Sequence, residues 1–303
     1  MIDEILKVLP SYISIEIQKI NNAQIITEIR LRAKQKVILK CTNNEIILDS
    51  IVTTKTILDI LLNVSRNSIY AIQSDINNGF VIIRGGHRIG ICGEVVYVDG
   101  KIKNIKNISS LNIRIARQIF GCADSVLPEI VEKGKILNTL IVSPPGCGKT
   151  TLIRDIIRQA SNGVDVLNLK GNNICLIDER GEIASMYNGV PCLDVGIRTD
   201  VMSNVNKSEG MKMMIRSMAP DIIATDEIGK KEDILAIKEA VISGVSVLFT
   251  IHGDSIKTLL KNPNIKELLE LNIFSKIILL SSGRTPGIIE KIYDTKDIGE
   301  MWC

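Results

Sequence analysis

An α/β chain is the fold class that the sequence predicts: a mostly parallel sheet covered by helices from about residue 125 onward, preceded by a smaller α+β domain. Three observations support it. Beyond residue 125, short continuous apolar stretches at 138–143, 174–178, 221–226, 245–251 and 275–281 alternate with longer stretches of helical spacing near 126–133, 149–161, 209–218, 230–242 and 255–271. Uniformly apolar strands separated by helices are the pattern of parallel strands buried on both faces. Before residue 125, alternating strands and turn signals dominate instead. The length of 303 residues, 45% of them hydrophobic, leaves room for about two ordinary cores.

The N-terminal elements follow in order. Residues 2–20 carry apolar side chains at helical spacing. Residues 29–41 read as a strand, followed by an Asn43-Asn44 turn into 46–48, and 57–64 returns to helical spacing behind threonines suited to capping. The stretch 80–98 alternates and is interrupted by Gly85-Gly86 and Gly93, while Asp99-Gly100 is a two-residue hairpin signal leading into 101–105. From 100 to 123 there are five basic residues, Lys101, Lys103, Lys106, Arg114 and Arg117, and no acidic one. Such a segment is either a solvated basic face or a connector whose cations approach phosphates held by the next domain. The expected division is a domain at 1–106, a basic linker at 107–124 and a second domain at 125–303.

Composition excludes several classes of function. Thirty-seven basic against thirty-four acidic side chains give +3, too small a surplus to imply a polyanion partner by bulk electrostatics. Five Tyr, four Phe and one Trp are too few to suggest base-stacking platforms, so nucleic acid is not an expected partner. Apolar runs such as 245–251 and 275–282 fall short of the ~18–20 residues of a membrane span, and acids near the N-terminus replace the basic region of a signal peptide. The seven cysteines are scattered without C-x-x-C spacing, which predicts a reducing compartment and no zinc site.

The most informative segment is 138–160. An apolar strand runs into Ser143-Pro144-Pro145-Gly146-Cys147-Gly148-Lys149-Thr150-Thr151, and a helical stretch follows. This strand, loop and helix context is that of a phosphate-binding loop, although the pattern G-x-x-x-x-G-K-[ST] has Ser143 in place of its first glycine. Glycine at 146 and 148 lets backbone N–H groups turn inward around phosphate oxygens at a helix N-terminus. The expected nucleotide-binding set is Pro145, Gly146, Cys147, Gly148, Lys149, Thr150 and Thr151. Within it, Lys149 serves the β- and γ-phosphates and the Thr150 hydroxyl serves Mg²⁺.

A second apolar strand, 221–225, ends in Asp226-Glu227, which suits Asp226 to hold magnesium and Glu227 to polarise an attacking water as general base. A third ends at Asp178 and opens into Glu179-Arg180-Gly181-Glu182, so Glu179 or Glu182 shares the task of ordering magnesium and water. A fourth ends at His252, either a γ-phosphate sensor or a structural histidine. Among Arg114, Arg117, Arg180, Arg198 and Arg216, any is eligible to supply charge to a γ-phosphate from a neighbouring subunit.

Six segments together resemble the stage III sporulation protein AA family: 28–32 (EIRLR), 85–93 (GGHRIGICG), 112–117 (NIRIAR), 143–150 (SPPGCGKT), 177–184 (IDERGEIA) and 220–229 (PDIIATDEIG). The resemblance runs from about residue 28 to about 294. That family is similar to the ATPases of type II and type IV secretion systems and type IV pili. The likeness implies a RecA-like P-loop ATPase domain behind a small N-terminal domain, binding ATP and Mg²⁺, and assembly into a ring, commonly hexameric. It implies Lys149 and Thr150 in the Walker A motif, Asp226 and Glu227 in Walker B, Asp178 and Glu179 in an acidic box, and His252 in a histidine box. It further implies work in the mother-cell cytoplasm of an endospore former, peripheral to the membrane facing the forespore, with membrane proteins of a channel complex as partners. The secretion ATPases usually show Gly-Glu where this chain has Asp226-Glu227.

Two readings follow from the sequence. In one, a Mg²⁺-dependent ATPase opens and closes its N-terminal domain as Arg114 and Arg117 gain and lose the γ-phosphate. In the other, a nucleotide-gated scaffold or a RecA-like nucleic-acid-binding protein uses ATP mainly to set its assembly.

Overall fold

The computed structural model describes residues 2–20, 25–42, 44–65, 68–282 and 287–298, so Asn43 and Cys303 lie outside the described residues. The chain divides into two compact units, residues 1–117 with 185–192, and residues 118–184 with 193–303.

In the first unit, the helical stretch 2–20 is two helices, α1 (Ile2–Val8) and α2 (Ser11–Gln18), because Pro10 between them has no N–H to continue the ladder. Ser14 Oγ ties the second to the first by donating to Leu6 O at 2.9 Å. The expected strand 29–41 is likewise two strands, β1 (Ile26–Arg32) and β2 (Lys36–Cys41), which reverse through Lys34 at φ 66°. After β3 (Glu45–Ile51), Thr53 caps α3 (Thr54–Val64): its hydroxyl accepts from Thr56 N at 3.0 Å, and Thr56 Oγ1 accepts from Thr53 N. A 3₁₀ turn and α4 (Gln73–Asn77) lead to β4 (Phe80–Ile83), β5 (His87–Val98) and β6 (Lys101–Arg114). The last two are joined through Asp99 and Gly100, both left-handed as a tight hairpin requires.

These six strands form one antiparallel sheet in the order β3-β2-β1-β6-β5-β4. Ile29, Leu31, Ile89, Leu111 and Ile113 bury one face against Ile13, Ile17, Ile57 and Ile60 of the helices. The basic segment expected to be a linker from 107 is therefore part of the sheet as far as Arg114, because its alternating Ile and Leu residues belong to this core. The boundary falls at Arg117/Gln118.

The second unit carries α5 (Leu127–Ile130), shorter than the expected 126–133, then a small hairpin of β7 (Val131–Glu132) and β8 (Lys135–Ile136). There follow β9 (Thr139–Ser143), α6 (Lys149–Asn162) and β10 (Ile174–Asp178). The chain then makes a two-stranded excursion, β11 (Met186–Tyr187) and β12 (Val190–Pro191), that packs with the first unit: a Cβ on Gly86 would lie 2.9 Å from Ser185 Cβ and 3.2 Å from Cys192 Cβ. It returns as β13 (Thr199–Ser203), α7 (Lys207–Met218), β14 (Ile222–Thr225), α8 (Lys231–Ile242) and β15 (Ser246–His252). The helical stretch 255–271 splits into α9 (Ile256–Leu259) and α10 (Pro263–Glu270), with Pro263 starting the second helix. The chain continues through β16 (Lys276–Leu280), β17 (Ile289–Asp294) and α11 (Thr295–Ile298).

The seven-stranded sheet has the order β13-β10-β14-β15-β9-β16-β17, and every pairing in it is parallel except that of the edge strand β17. The fold of this unit is thus mixed α/β with a largely parallel sheet. The polar edge strand β13 and the antiparallel β17 are additions to the five strands that hydropathy predicts. Helix α6 is fixed by Asp155, whose buried carboxylate accepts from Ala123 N at 3.0 Å, Arg158 at 2.7 and 2.9 Å, and Gln159 at 3.1 Å. Burial works to raise the pKa of that carboxyl, and the Ala123 amide with the Arg158 and Gln159 side chains outweighs it, leaving it below the usual value.

Because the folded pKa of Asp155 is depressed, its contribution is present above the ordinary aspartate value of 3.8 and is lost as pH falls through the lower folded value. Asp155→Asn is expected to lower stability by about 2 kcal/mol at neutral pH. Urea midpoints of wild type and variant, measured from pH 7 to pH 3, should converge toward the acid end.

Candidate nucleotide site

Strand register builds this site. β9 and β15 lie side by side with Ser143 opposite His252, while β10 and β14 place Ile177 opposite Thr225. The loops leaving these strands therefore gather at the carboxyl ends, where ligands of parallel sheets bind, with β9 and β15 running three residues past the level of Thr225, which lies opposite Phe249.

The loop from Ser143 to Lys149 turns through Gly146 at φ 77° and Gly148 at φ 92°, both left-handed, and Gly148 is the N-cap of the 14-residue helix α6. A Cβ on Gly146 would meet nothing within 4 Å, so its dihedral, not crowding, calls for glycine there. The Cys147 carbonyl accepts from Gly287 N at 2.8 Å. Lys149 is buried, with Nζ donating to Ser143 O at 3.0 Å, Ser143 Oγ at 3.3 Å, Pro144 O at 3.4 Å and His252 Nδ1 at 2.8 Å. Burial holds its ammonium below the ordinary lysine value against the opposing charge of Glu227. Ser143, which replaces the expected glycine, thus takes part in the loop by accepting from the lysine through both its carbonyl and its hydroxyl.

His252 continues the network. The Lys149 ammonium can only donate, so Nδ1 accepts and the proton is assigned to Nε2, which lies 2.6 Å from Glu227 Oε1. The other Glu227 oxygen is 3.2 Å from Arg180 Nη1. Glu227 itself sits at φ 36°, a costly conformation for a side chain with a Cβ, and its amide donates to Thr250 Oγ1 at 3.0 Å while the next amide, Ile228 N, donates to Thr250 O.

Beside this chain lies a second group. Asp226 is buried and its Oδ1 has no hydrogen-bond partner; the Lys207 ammonium stands 3.5 Å from that oxygen and also pairs with Glu179. Burial pushes the Asp226 carboxyl up to about 6; Lys207 opposes the shift, and Asp178, Glu227 and Glu182 add to it. Glu179 is pushed up by burial yet ends below the usual carboxylate range because Lys207 bonds to it. Asp178 faces away from this group: its carboxylate accepts from the amides of Glu182, Ile183 and Ala184 at 2.8–3.2 Å, and Arg154 of α6 holds the Ile183 and Glu182 carbonyls at 2.5 and 2.8 Å.

The residues singled out by sequence therefore fall into two sets. Lys149, His252, Glu227, Asp226 and Glu179 lie at neighbouring strand ends of one unit, with Thr150 and Thr151 half-buried on the first turn of α6. Arg114 and Arg117 belong to the other unit, where Arg114 Nε is 3.7 Å from Glu28 Oε1 and Arg117 Nη2 donates to Ile26 O at 2.8 Å. Arg198 is tied to Ser161 O, and Arg180 is the arginine beside Glu227. Sequence reasoning missed Lys207 and Thr250, since neither belongs to a local motif. Among the described residues, no group of three or more His, Cys, Asp or Glu side chains is arranged to hold a metal ion. The orphaned Asp226 oxygen, the Thr150 hydroxyl and the glycine loop nevertheless suit a Mg²⁺ ion that takes most of its oxygens from phosphate and water.

Comparison with known proteins agrees with this architecture. The chain is 40% identical over 294 residues to stage III sporulation protein AA of Bacillus subtilis (strain 168), covering 96% of this chain and 95% of that one. Among solved structures, it resembles the ATPase DotB of Yersinia pseudotuberculosis at a TM-score of 0.60 and 14% identity, covering 91% of this chain and 77% of DotB. It resembles the pilus retraction motor PilT with bound ADP at 0.58 and 18%, with the same coverage. At such identities the likeness establishes the fold. The family model described as sporulation stage III, protein AA, matches residues 2–299, and the chain belongs to that family.

Proposed function

We propose that the chain is a Mg²⁺-dependent P-loop ATPase with a RecA-like second unit, energising a membrane-bound channel complex between mother cell and forespore. The observation that carries the reading is the convergence of a phosphate-loop lysine, a histidine-linked glutamate and an unsatisfied buried aspartate at adjacent strand ends. The family membership supports the sporulation setting, and the fold shared with DotB and PilT supports a motor.

In this reading Lys149 exchanges the Ser143 and Pro144 carbonyls for β- and γ-phosphate oxygens of ATP, and the amides from Pro145 to Thr151 surround those oxygens at the positive end of α6. Pro145 itself contributes shape and no donor. Thr150 and Asp226 would hold magnesium, which neutralises charge on the phosphates. Glu227, kept in place by Thr250 and oriented by His252, accepts the proton of the attacking water, and Glu179 helps to order that water. Arg114 and Arg117 are the proposed donors of positive charge to the γ-phosphate, through which its loss moves the first unit. A hexameric ring, peripheral to the membrane and in the mother-cell cytoplasm, is the proposed assembly. No helix among the described residues is long and apolar enough to cross a membrane; membrane proteins of the channel complex are the proposed partners.

The test is γ-phosphate release by purified protein. Lys149→Ala is expected to weaken nucleotide binding measured by calorimetry and abolish release, whereas Glu227→Gln should keep binding and slow release by roughly 10²–10⁴-fold; turnover indifferent to both changes would end this reading. Thr250→Val leaves the Glu227 amide without its acceptor and should lower kcat about tenfold with KM unchanged, since it disturbs the position of the base and not the phosphate loop. Molar mass in solution should rise toward that of a ring when a non-hydrolysable nucleotide is added. Light scattering that shows a monomer in both conditions would exclude nucleotide-dependent ring assembly.

A further inference from the structure

We propose that Lys207 is a resident counter-cation, a positioning residue that holds the carboxylates of Glu179 and Asp226 together and admits divalent metal only when it arrives with phosphate. The proposal rests on the nucleotide-site reading above and deepens it by assigning an order to metal and nucleotide.

The first argument is where the lysine sits. It is the first residue of α7, directly after the cap Asn206, whose side chain accepts from Ser208 N at 3.2 Å. A positive charge in a first helical turn opposes the helix dipole, so the stability of α7 does not explain a lysine there. The helix is also pressed against β10, since a Cβ on Gly210 would lie 3.0 Å from Ile177 Cγ2 and from Val205 Cγ1. This close packing sets the reach of the ammonium toward the strand ends.

Burial and pairing supply the second argument. The Lys207 side chain is only 8% exposed, and an ammonium out of water must be paired. Its partners are Glu179, which follows β10, and Asp226, which follows β14, two strands that are neighbours in the sheet. Their carboxylates, brought together by register, would repel each other without a cation between them. Yet the lysine does not satisfy Asp226 fully, because Oδ1 stays without a hydrogen bond at an ammonium distance of 3.5 Å. The contact is one of charge, and it leaves an oxygen able to accept another ligand.

The consequence is a charge balance that discriminates. Two carboxylates and one ammonium leave a single net negative charge in this group, too little to draw a divalent ion out of water unaided. Phosphate oxygens held by the adjoining loop supply the remaining charge. Magnesium accordingly binds with the nucleotide and not ahead of it.

The experiment is a titration of the full chain with Mn²⁺ followed by electron paramagnetic resonance, with folding checked by circular dichroism. Without nucleotide, Lys207→Met and Lys207→Gln are expected to bind Mn²⁺ at least about tenfold more tightly than wild type, and Lys207→Arg, which keeps the charge, to stay within about twofold of it. Folded neutral variants that take up Mn²⁺ no better than wild type, or an arginine variant that shifts as far as the methionine one, would overturn the proposal. Should both neutral variants fail to fold, Glu179→Gln leaves Lys207 to Asp226 alone and is expected to weaken Mn²⁺ uptake in the presence of a non-hydrolysable nucleotide at least about tenfold; unchanged uptake would overturn it equally. Calorimetry of wild type with nucleotide stands apart: a failure there would remove the nucleotide site itself, while the nucleotide-free Mn²⁺ comparison still reports on Lys207.

Discussion

Parallel register is the constraint from which the rest of the site follows. With Ser143 level with His252 and Ile177 level with Thr225, the side chains just beyond the last ladder bonds have no choice but to meet. Many of those side chains are charged, and three of them, Lys149, Lys207 and Asp226, are buried away from water. Each of these three is accommodated because a partner of opposite sign or a backbone carbonyl is fixed at hydrogen-bonding or ion-pair distance. The pairing of Lys149 with loop carbonyls and of Lys207 with Glu179 are two solutions to the same difficulty.

The different partners available at the strand ends explain how adjacent acids come to differ. Asp178 and Glu179 are neighbours in sequence, yet the first turns to three amides of the following loop and the second to an ammonium from α7. Asp226 and Glu227 diverge in the same way, one toward Lys207 and the other toward His252 and Arg180. In the second pair the divergence requires Glu227 to adopt a left-handed backbone, and two bonds to Thr250 compensate for part of that strain. Asp178 is a structural acid and Asp226 an unsatisfied one, although one ends an apolar strand and the other directly follows one.

Much of this was legible in the chain. Five of the six parallel strands announced themselves because both their faces are buried and their sequences are continuously apolar, and the phosphate loop because glycine and lysine occur at a diagnostic spacing between strand and helix. The stretches around Pro10 and Pro263 read as single helices because helical spacing continues across both prolines, while the hydrogen-bond ladder, lacking an N–H there, does not. The reversal at Lys34 carries no glycine, asparagine or proline and so gave no turn signal. Lys207 was illegible for a deeper reason. Its surroundings come from Glu179 and Asp226, each many residues distant and joined to it only by strand order, so no window of sequence contains the information.

The excursion from Ser185 to Cys192 has a bearing on how far the two units can be treated as separate modules. The chain passes from one body to the other not once but three times, after Arg117 and at both ends of that excursion. A fragment cut after Arg117 would lose the segment whose ends, Ser185 and Cys192, stand against Gly86. A single cut after Arg117 thus does not yield the two units as two uninterrupted lengths of chain.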